Sequence, residues 1–214
     1  MLTSVLAGLG LGLSLIVAIG AQNMFVLRQG LRREHVLTVA LICTASDVLL
    51  IILGVSGVGL ALRALPGLVE AVRWVGAAFL VGYGVLALRR AIRPSGATLQ
   101  ASLGRPPSAV GTASLATRTA VAPVVATCLA LTWLNPHVYL DTVFLLGSVA
   151  NTHGEGRWWF ALGAGLASAL WFFALAYGAR LLGRRLATPR AWRIVDAAIG
   201  VVMLGLAASL IASA

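Results

Sequence analysis

The run from His35 to Leu62, HVLTVALICTASDVLLIILGVSGVGLAL, holds one acidic side chain, Asp47, and no Arg or Lys. A helix of about 20 such residues crosses the hydrocarbon core of a bilayer. At 1.5 Å per residue Asp47 stands about 18 Å from the start of the run, near mid-membrane. Its helical neighbours Ala40, Cys43, Thr44 and Gly54 are small and weakly polar, so that face points into a bundle. A charge at the bilayer centre costs at least about 2.5–3.5 kcal/mol, which makes such a residue a functional candidate by default. The structural alternative is a protonated Asp hydrogen-bonded to a neighbouring helix. It carries less weight, because membranes seldom retain such residues for stability alone.

Five further runs resemble this one: Leu2 to Val26, Ala71 to Leu88, Thr119 to Ala150, Trp158 to Ala179 and Ile194 to Ala212. The whole chain of 214 residues is 60% hydrophobic and 10% charged. Soluble domains are nearer half apolar and a quarter charged. The expected fold is therefore all-α and membrane-integral, one transmembrane domain over 1–214 with six spans. A secretory leader would need a basic start and a shorter apolar core. The first 27 residues have neither, so they read as a retained span.

All sixteen basic residues are arginines, and the formal net charge is +10. The arginines sit between apolar runs, so they read as topology signals and contacts to membrane lipids; no nucleic-acid partner is expected. Thirteen fall after spans one, three and five, and three (Arg63, Arg73 and Arg157) fall in the alternate loops. The positive-inside rule places the thirteen in the cytoplasm and both termini outside. One long linker, 89–118, carries Pro94, Gly96, Gly104, Pro106 and Pro107 and reads as a cytoplasmic loop. It separates a first half, 1–88, from a second, 119–214. Each half has an odd number of spans, so a duplicated half inserts upside down, the inverted-repeat plan of many secondary transporters. Pairs such as Gly8 with Gly12, Gly82 with Gly84, Gly163 with Ala167 and Gly200 with Gly205 suit close helix packing in lipid.

Two polar breaks interrupt the first span of each half: Gly20-Ala21-Gln22-Asn23 and Asn135-Pro136-His137. Pro136 removes a backbone donor and frees carbonyls of the preceding turn. Taken singly, each break is as well read as an ordinary helix end or a proline kink. Paired in corresponding positions, they are the best sequence pointer to a transport site. Asp141 lies four residues after His137, on its face if the helix continues past Pro136. The candidate site is thus Gln22, Asn23, Asp47, Asn135, His137 and Asp141, with helix breaks at Gly20 and Pro136.

Carboxylates at such a site suit an ammonium or guanidinium group, and amides and helix N-termini suit a carboxylate. A basic amino acid has all of these. No nucleotide-binding loop appears, so ATP is not the direct energy source, and no cofactor is expected. Exchange for an entering proton would cancel the electrical cost of exporting a +1 solute, about 2.3 kcal/mol per 100 mV. Protons, a basic amino acid and lipids are the expected partners; a homo-oligomer is left open. Cys43 and Cys128 show no metal or disulfide spacing and read as buried small hydrophobes. The rival they raise is a membrane thiol–disulfide relay between spans two and four. Each lacks an adjacent second thiol or an electropositive setting, which argues against it.

Several stretches resemble the LysE/ArgO family of basic amino-acid exporters. They are Gly20-Ala21-Gln22-Asn23-Met24-Phe25-Val26-Leu27-Arg28-Gln29-Gly30, Ser46-Asp47-Val48, Thr132 to Asp141 (TWLNPHVYLD), Arg157 to Gly163 and Ser168 to Phe172. The chain departs at Ala21, where the family usually has Pro; the first break then relies on Gly20 and Asn23. The resemblance implies export of L-arginine, L-lysine or both across a bacterial inner membrane, driven by the proton-motive force, with no enzymatic activity. Related exporters of neutral amino acids such as homoserine and threonine also carry an acid near Asp47. The Tyr139-Leu140-Asp141 ending looks particular to the basic-substrate group and argues against that rival.

Overall fold

The computed structural model describes residues 1–17, 20–57, 66–92, 120–182 and 188–212. Ala18, Ile19, Arg63, Arg184, Arg185 and nearly all of the expected cytoplasmic loop, including Arg93, Arg105 and Arg118, lie outside the described residues. In lipid every backbone polar group must find a partner within the chain, so an apolar sequence of this kind coils into helices. In chain order they are α1 (Leu2–Ile16), α2 (Ala21–Arg32), α3 (Val36–Val55), α4 (Pro66–Ile92) and α5 (Val121–Trp133). There follow α6 (Pro136–Thr152), α7 (Arg157–Leu182) and α8 (Pro189–Ala212).

Helices α3, α4, α7 and α8 are each long and apolar enough to cross a membrane. The other four form two bent pairs, α1 with α2 at 82° and α5 with α6 at 57°. If each bent pair is one span, the spans number six. The two bends fall at the two polar breaks. Between α2 and α3 the chain reverses within three residues, and Arg33 (φ 58°) and His35 (φ 50°) are both left-handed. The Arg33 amide donates to the Gly30 carbonyl at 3.1 Å and the Glu34 amide to the Gln29 carbonyl at 3.2 Å, closing the end of α2.

The bundle is apolar outside and partly polar inside. Leu170 and Val201 are exposed, whereas Gln22, Arg28, Gln29, Ser46, Asp47, Thr132, Ser168 and Asp196 are buried. That inversion fits lipid as the solvent. The most extensive packing sets α4 against α8 and α1 against α7; α3 packs on α5, α6 and α7, and α2 on α7. Glycine makes two of these contacts possible. A Cβ on Gly8 would strike the Phe160 carbonyl, and one on Gly163 the Val5 carbonyl. A Cβ on Gly54 would fall 2.8 Å from the Val143 carbonyl oxygen. The glycine pairs read from the sequence are not all contacts: a Cβ on Gly82 or Gly205 would meet nothing within 4 Å.

Helix boundaries differ from the apolar runs in instructive ways. The alternative of an ordinary helix end at the first break does not hold at Asn23, which is the third residue of a new helix bent 82° from α1. Residues 139–146 form a π-helix, which widens each turn by one residue; His137 and Asp141 therefore do not repeat in simple α-helical register. Asp196, the third residue of the last apolar run, is buried inside α8.

Candidate transport site at the two helix breaks

The first break is held by Asn23. Its Nδ2 donates to the Ile16 carbonyl at 2.7 Å, so the last turn of α1 keeps a partner. Its Oδ1 accepts from Trp171 Nε1 at 3.1 Å, which ties the break to α7. The second break has matching devices. Asn135 caps α6 by accepting from the His137 amide at 3.1 Å, and Pro136 occupies the first helical turn, where a missing N–H costs nothing. Tyr139 donates its hydroxyl to the Trp133 carbonyl at 2.8 Å, satisfying the end of α5.

Between the breaks lies a cavity of about 320 Å³, at the small end of the range of about 300–1,000 Å³ for ligand sites. It is lined by Leu15 and Ile16 of α1, Gly20 to Asn23 at the start of α2, and Asp47 of α3. Asn135, His137, Val138 and Asp141 at the start of α6, with Leu206 and Ser209 of α8, complete it. Gln22, Asn23, Asp47, Asn135, His137, Asp141 and Gly20 are thus brought together on one wall or another of this space. Pro136 is buried beside it without lining it. The N-termini of α2 and α6 both end on the cavity, so two sets of outward-facing amides and two positive dipole ends converge there.

The carboxylates differ in setting. Asp47 is buried, and its Oδ2 accepts from Ser168 Oγ of α7 at 2.9 Å. Its neighbour Ser46 accepts from Trp133 Nε1 at 3.3 Å. Asp141 is exposed, as is Ser209, so the cavity opens on that side and closes on Asp47 and the buried Gln22. Gln22 lies beside Cys43, whose sulfur is 3.2 Å from that of Cys128. The two cysteines, read as isolated small hydrophobes, are buried as expected but adjoin each other across α3 and α5. Among the described residues no group of three or more His, Cys, Asp and Glu could hold a metal ion.

Leu206, Ser209, Ser168 and Trp171 were not in the candidate set. Ser168 and Trp171 are three residues apart on α7 and share a face, a spacing visible in the sequence. Nothing in the sequence points to Leu206 or Ser209, because their role comes from where α8 lands.

A family model described as LysE type translocator matches residues 13–214. The chain belongs to the LysE-type translocator family. Among curated relatives, it is 39% identical to the lysine exporter LysE of Corynebacterium diphtheriae, over 96% of this chain and 97% of that one. It is 43% identical to the arginine exporter protein ArgO of Enterobacter sp., over 95% of this chain and 90% of that one. A Mycobacterium tuberculosis protein provisionally named an amino-acid transporter is 47% identical, over 91% and 90% of the two chains. No solved structure matches. LysE-type translocators are amino-acid exporters rather than enzymes, so the chain is a multi-pass membrane transporter.

Proposed function

We propose that this protein exports basic amino acids, L-arginine, L-lysine or both, across the bacterial inner membrane in exchange for protons. The observation that carries the reading is the shared cavity onto which both helix breaks and both mid-span carboxylates converge. It offers anionic groups for a cationic side chain and helix N-termini for an α-carboxylate. The names of the Corynebacterium and Enterobacter relatives point to the same two substrates.

Within the cavity Asn23 spends both ends of its amide on the first break and Asn135 its amide oxygen on the second, so they act chiefly as shape. Gln22, Asp47, His137 and Asp141 are the side chains that face a ligand. Asp47, buried and held by Ser168, serves coupling: it binds either a proton or the substrate. Asp141, at the open rim, recognises the cationic side chain.

The reading includes six spans in a 3+3 inverted repeat. The packing supports it, because exchanging the halves maps the main helix contacts onto one another: α1 and α2 lie on α7 as α5 and α6 lie on α3, while α4 with α8 and α3 with α7 map onto themselves. The arginine-bearing ends of four helices also meet. Arg33 Nη2 donates to the Arg180 carbonyl at 3.4 Å, and Arg193 Nε donates to the Ala91 carbonyl at 2.8 Å. By the positive-inside rule that end is cytoplasmic and both termini are outside.

The test is efflux of labelled arginine and lysine from loaded proteoliposomes, with and without an imposed pH gradient. Efflux that ignores the gradient would sink proton exchange, and efflux of homoserine or threonine in preference to arginine would move the protein to the neutral-substrate group.

A further inference from the structure

At the arginine-rich end two guanidinium groups share one carboxylate. Arg28 Nε of α2 donates to Asp196 Oδ1 of α8 at 3.1 Å, and Arg90 Nε of α4 faces the same oxygen at 3.6 Å. Arg32, one turn beyond Arg28, is paired instead with Glu34 at 3.3 Å. Asp196 therefore neutralises one of its two guanidinium partners and leaves a positive charge over. The Arg90 guanidinium lies 5.7 Å from the centre of the Tyr83 ring, which steadies the cation without neutralising it.

Donors are in surplus as well. Among the described residues, Arg90 Nε and Nη2, Arg32 Nε and the indole Nε1 of Trp192 are buried donors with no hydrogen-bond acceptor, against one buried acceptor without a donor on α2, Gln29 Oε1. Trp192 stands one turn before Asp196, on the same face of α8. A buried donor without an acceptor costs free energy that a bound oxyanion would recover, and an Arg fork matches a carboxylate or phosphate in the plane of its two nitrogens. Helix α2 links this cluster to the cavity: Gln22 lines the cavity, Phe25 meets Tyr83 edge-on at 6.3 Å between ring centres, and Arg28 follows. At 1.5 Å per residue, Gln22 and Arg28 are about 9 Å apart along the helix. The Arg90 side chain keeps 30% of its surface exposed, so the cluster is not sealed inside the bundle.

We propose that Arg28, Arg90 and Trp192 form an oxyanion subsite at the arginine-rich mouth, where the α-carboxylate of the amino acid docks before the molecule reaches the cavity. The identity of that ligand rests on the export reading; the oxyanion chemistry does not. A phospholipid phosphate carries the same chemistry, and the experiment separates the two sources.

The full-length protein, in nanodiscs of phosphatidylcholine, is titrated with L-arginine and with agmatine, which is arginine without its carboxylate. The ratio of the two dissociation constants reads the carboxylate's contribution. In Arg90→Gln and in Trp192→Phe that ratio falls by about tenfold, the worth of one charge-assisted hydrogen bond, while agmatine binding is unchanged. Trp192→Phe keeps the ring's packing and so stands in if Arg90→Gln folds poorly. In a parallel arm, phosphatidylglycerol replaces part of the lipid. If the ratio is the same in wild type and variants, but phosphatidylglycerol raises the Tm of wild type and not of Arg90→Gln, the oxyanion is a lipid phosphate and the subsite stands. The proposal is overturned if both variants weaken L-arginine and agmatine equally, or if neither the ratio nor the phosphatidylglycerol response changes. A wild type that binds neither L-arginine nor agmatine rejects the export reading, and the phosphatidylglycerol arm then decides the subsite alone.

Discussion

Ser168 Oγ donates to Asp47 Oδ2 at 2.9 Å, and both residues are buried, so the carboxylate near mid-span is tied to a helix of the other half of the chain. Replacing Asp47 by Asn keeps an acceptor for Ser168 and most of the volume, but removes the group that exchanges protons. Asp47→Asn should therefore fold normally and lose the response of arginine efflux to a pH gradient. Ser168→Ala should slow efflux less severely, by about tenfold to a hundredfold, since one hydrogen bond to a charged group is worth about 1.5–3 kcal/mol. Efflux from Asp47→Asn vesicles that still tracks the gradient would remove Asp47 from the coupling step.

Asp141 sits at the open rim, where water screens its charge. Asp141→Asn should raise the half-saturating arginine concentration by about fivefold to tenfold, a loss of about 1–1.4 kcal/mol. Citrulline has arginine's shape without its charge, and its weaker transport should not change. Equal losses for arginine and citrulline would mean that Asp141 shapes the cavity rather than reading charge.

The α1–α7 contact should be intolerant of a single methyl group. Gly8→Ala drives a Cβ into the Phe160 carbonyl, backbone against backbone, and should cost about 1–3 kcal/mol or more. Its thermal midpoint in detergent should fall clearly below wild type. Gly10→Ala is the control: a Cβ there meets nothing within 4 Å, and alanine is the better helix former by about 1 kcal/mol. A Gly8→Ala protein as stable as Gly10→Ala would show that α1 and α7 do not pack this closely.

Cys43 and Cys128 approach within 3.2 Å, which gives the thiol-relay reading its strongest support. Both are fully buried, however, and buried thiols are inert unless an electropositive setting activates them. The double variant Cys43→Ser, Cys128→Ser should keep wild-type efflux within about twofold, since hydroxyls can replace the mutual contact at a cost of about 1 kcal/mol or less. Efflux that collapses in the double variant and in wild type treated with a reductant would restore the relay.

The positions of the breaks were legible because a break in a lipid-exposed helix needs polar groups to satisfy its backbone. Gln22, Asn23, Asn135 and His137 stand out against apolar surroundings for that reason. Asp47 and Asp141 were legible because a carboxylate within a span is costly. The role of Asn23 was not. From the chain alone it is one more polar residue near a break, whereas its two hydrogen bonds, to Ile16 and to Trp171, show it bracing the break. Asp196 does not stand out in the sequence, because it lies near the arginine-rich end of its run, where a carboxylate is cheap if water reaches it. The bundle buries it between Arg28 and Arg90 instead.

The sequence by itself determined that lipid is this chain's solvent, that its elements are helices, and that its polar groups gather at a few interruptions. These follow from local composition, since a residue's transfer cost into a bilayer does not depend on which helix lies beside it. Only the tertiary structure decided which interruptions share a space. Asp47 and Asp141 meet the same cavity because α3 packs on α6 through Gly54, and the cavity has its far wall because α8 brings Leu206 and Ser209 across from the end of the chain. Contacts between residues so far apart in sequence depend on how helices cross and how closely their backbones approach, which no single run encodes.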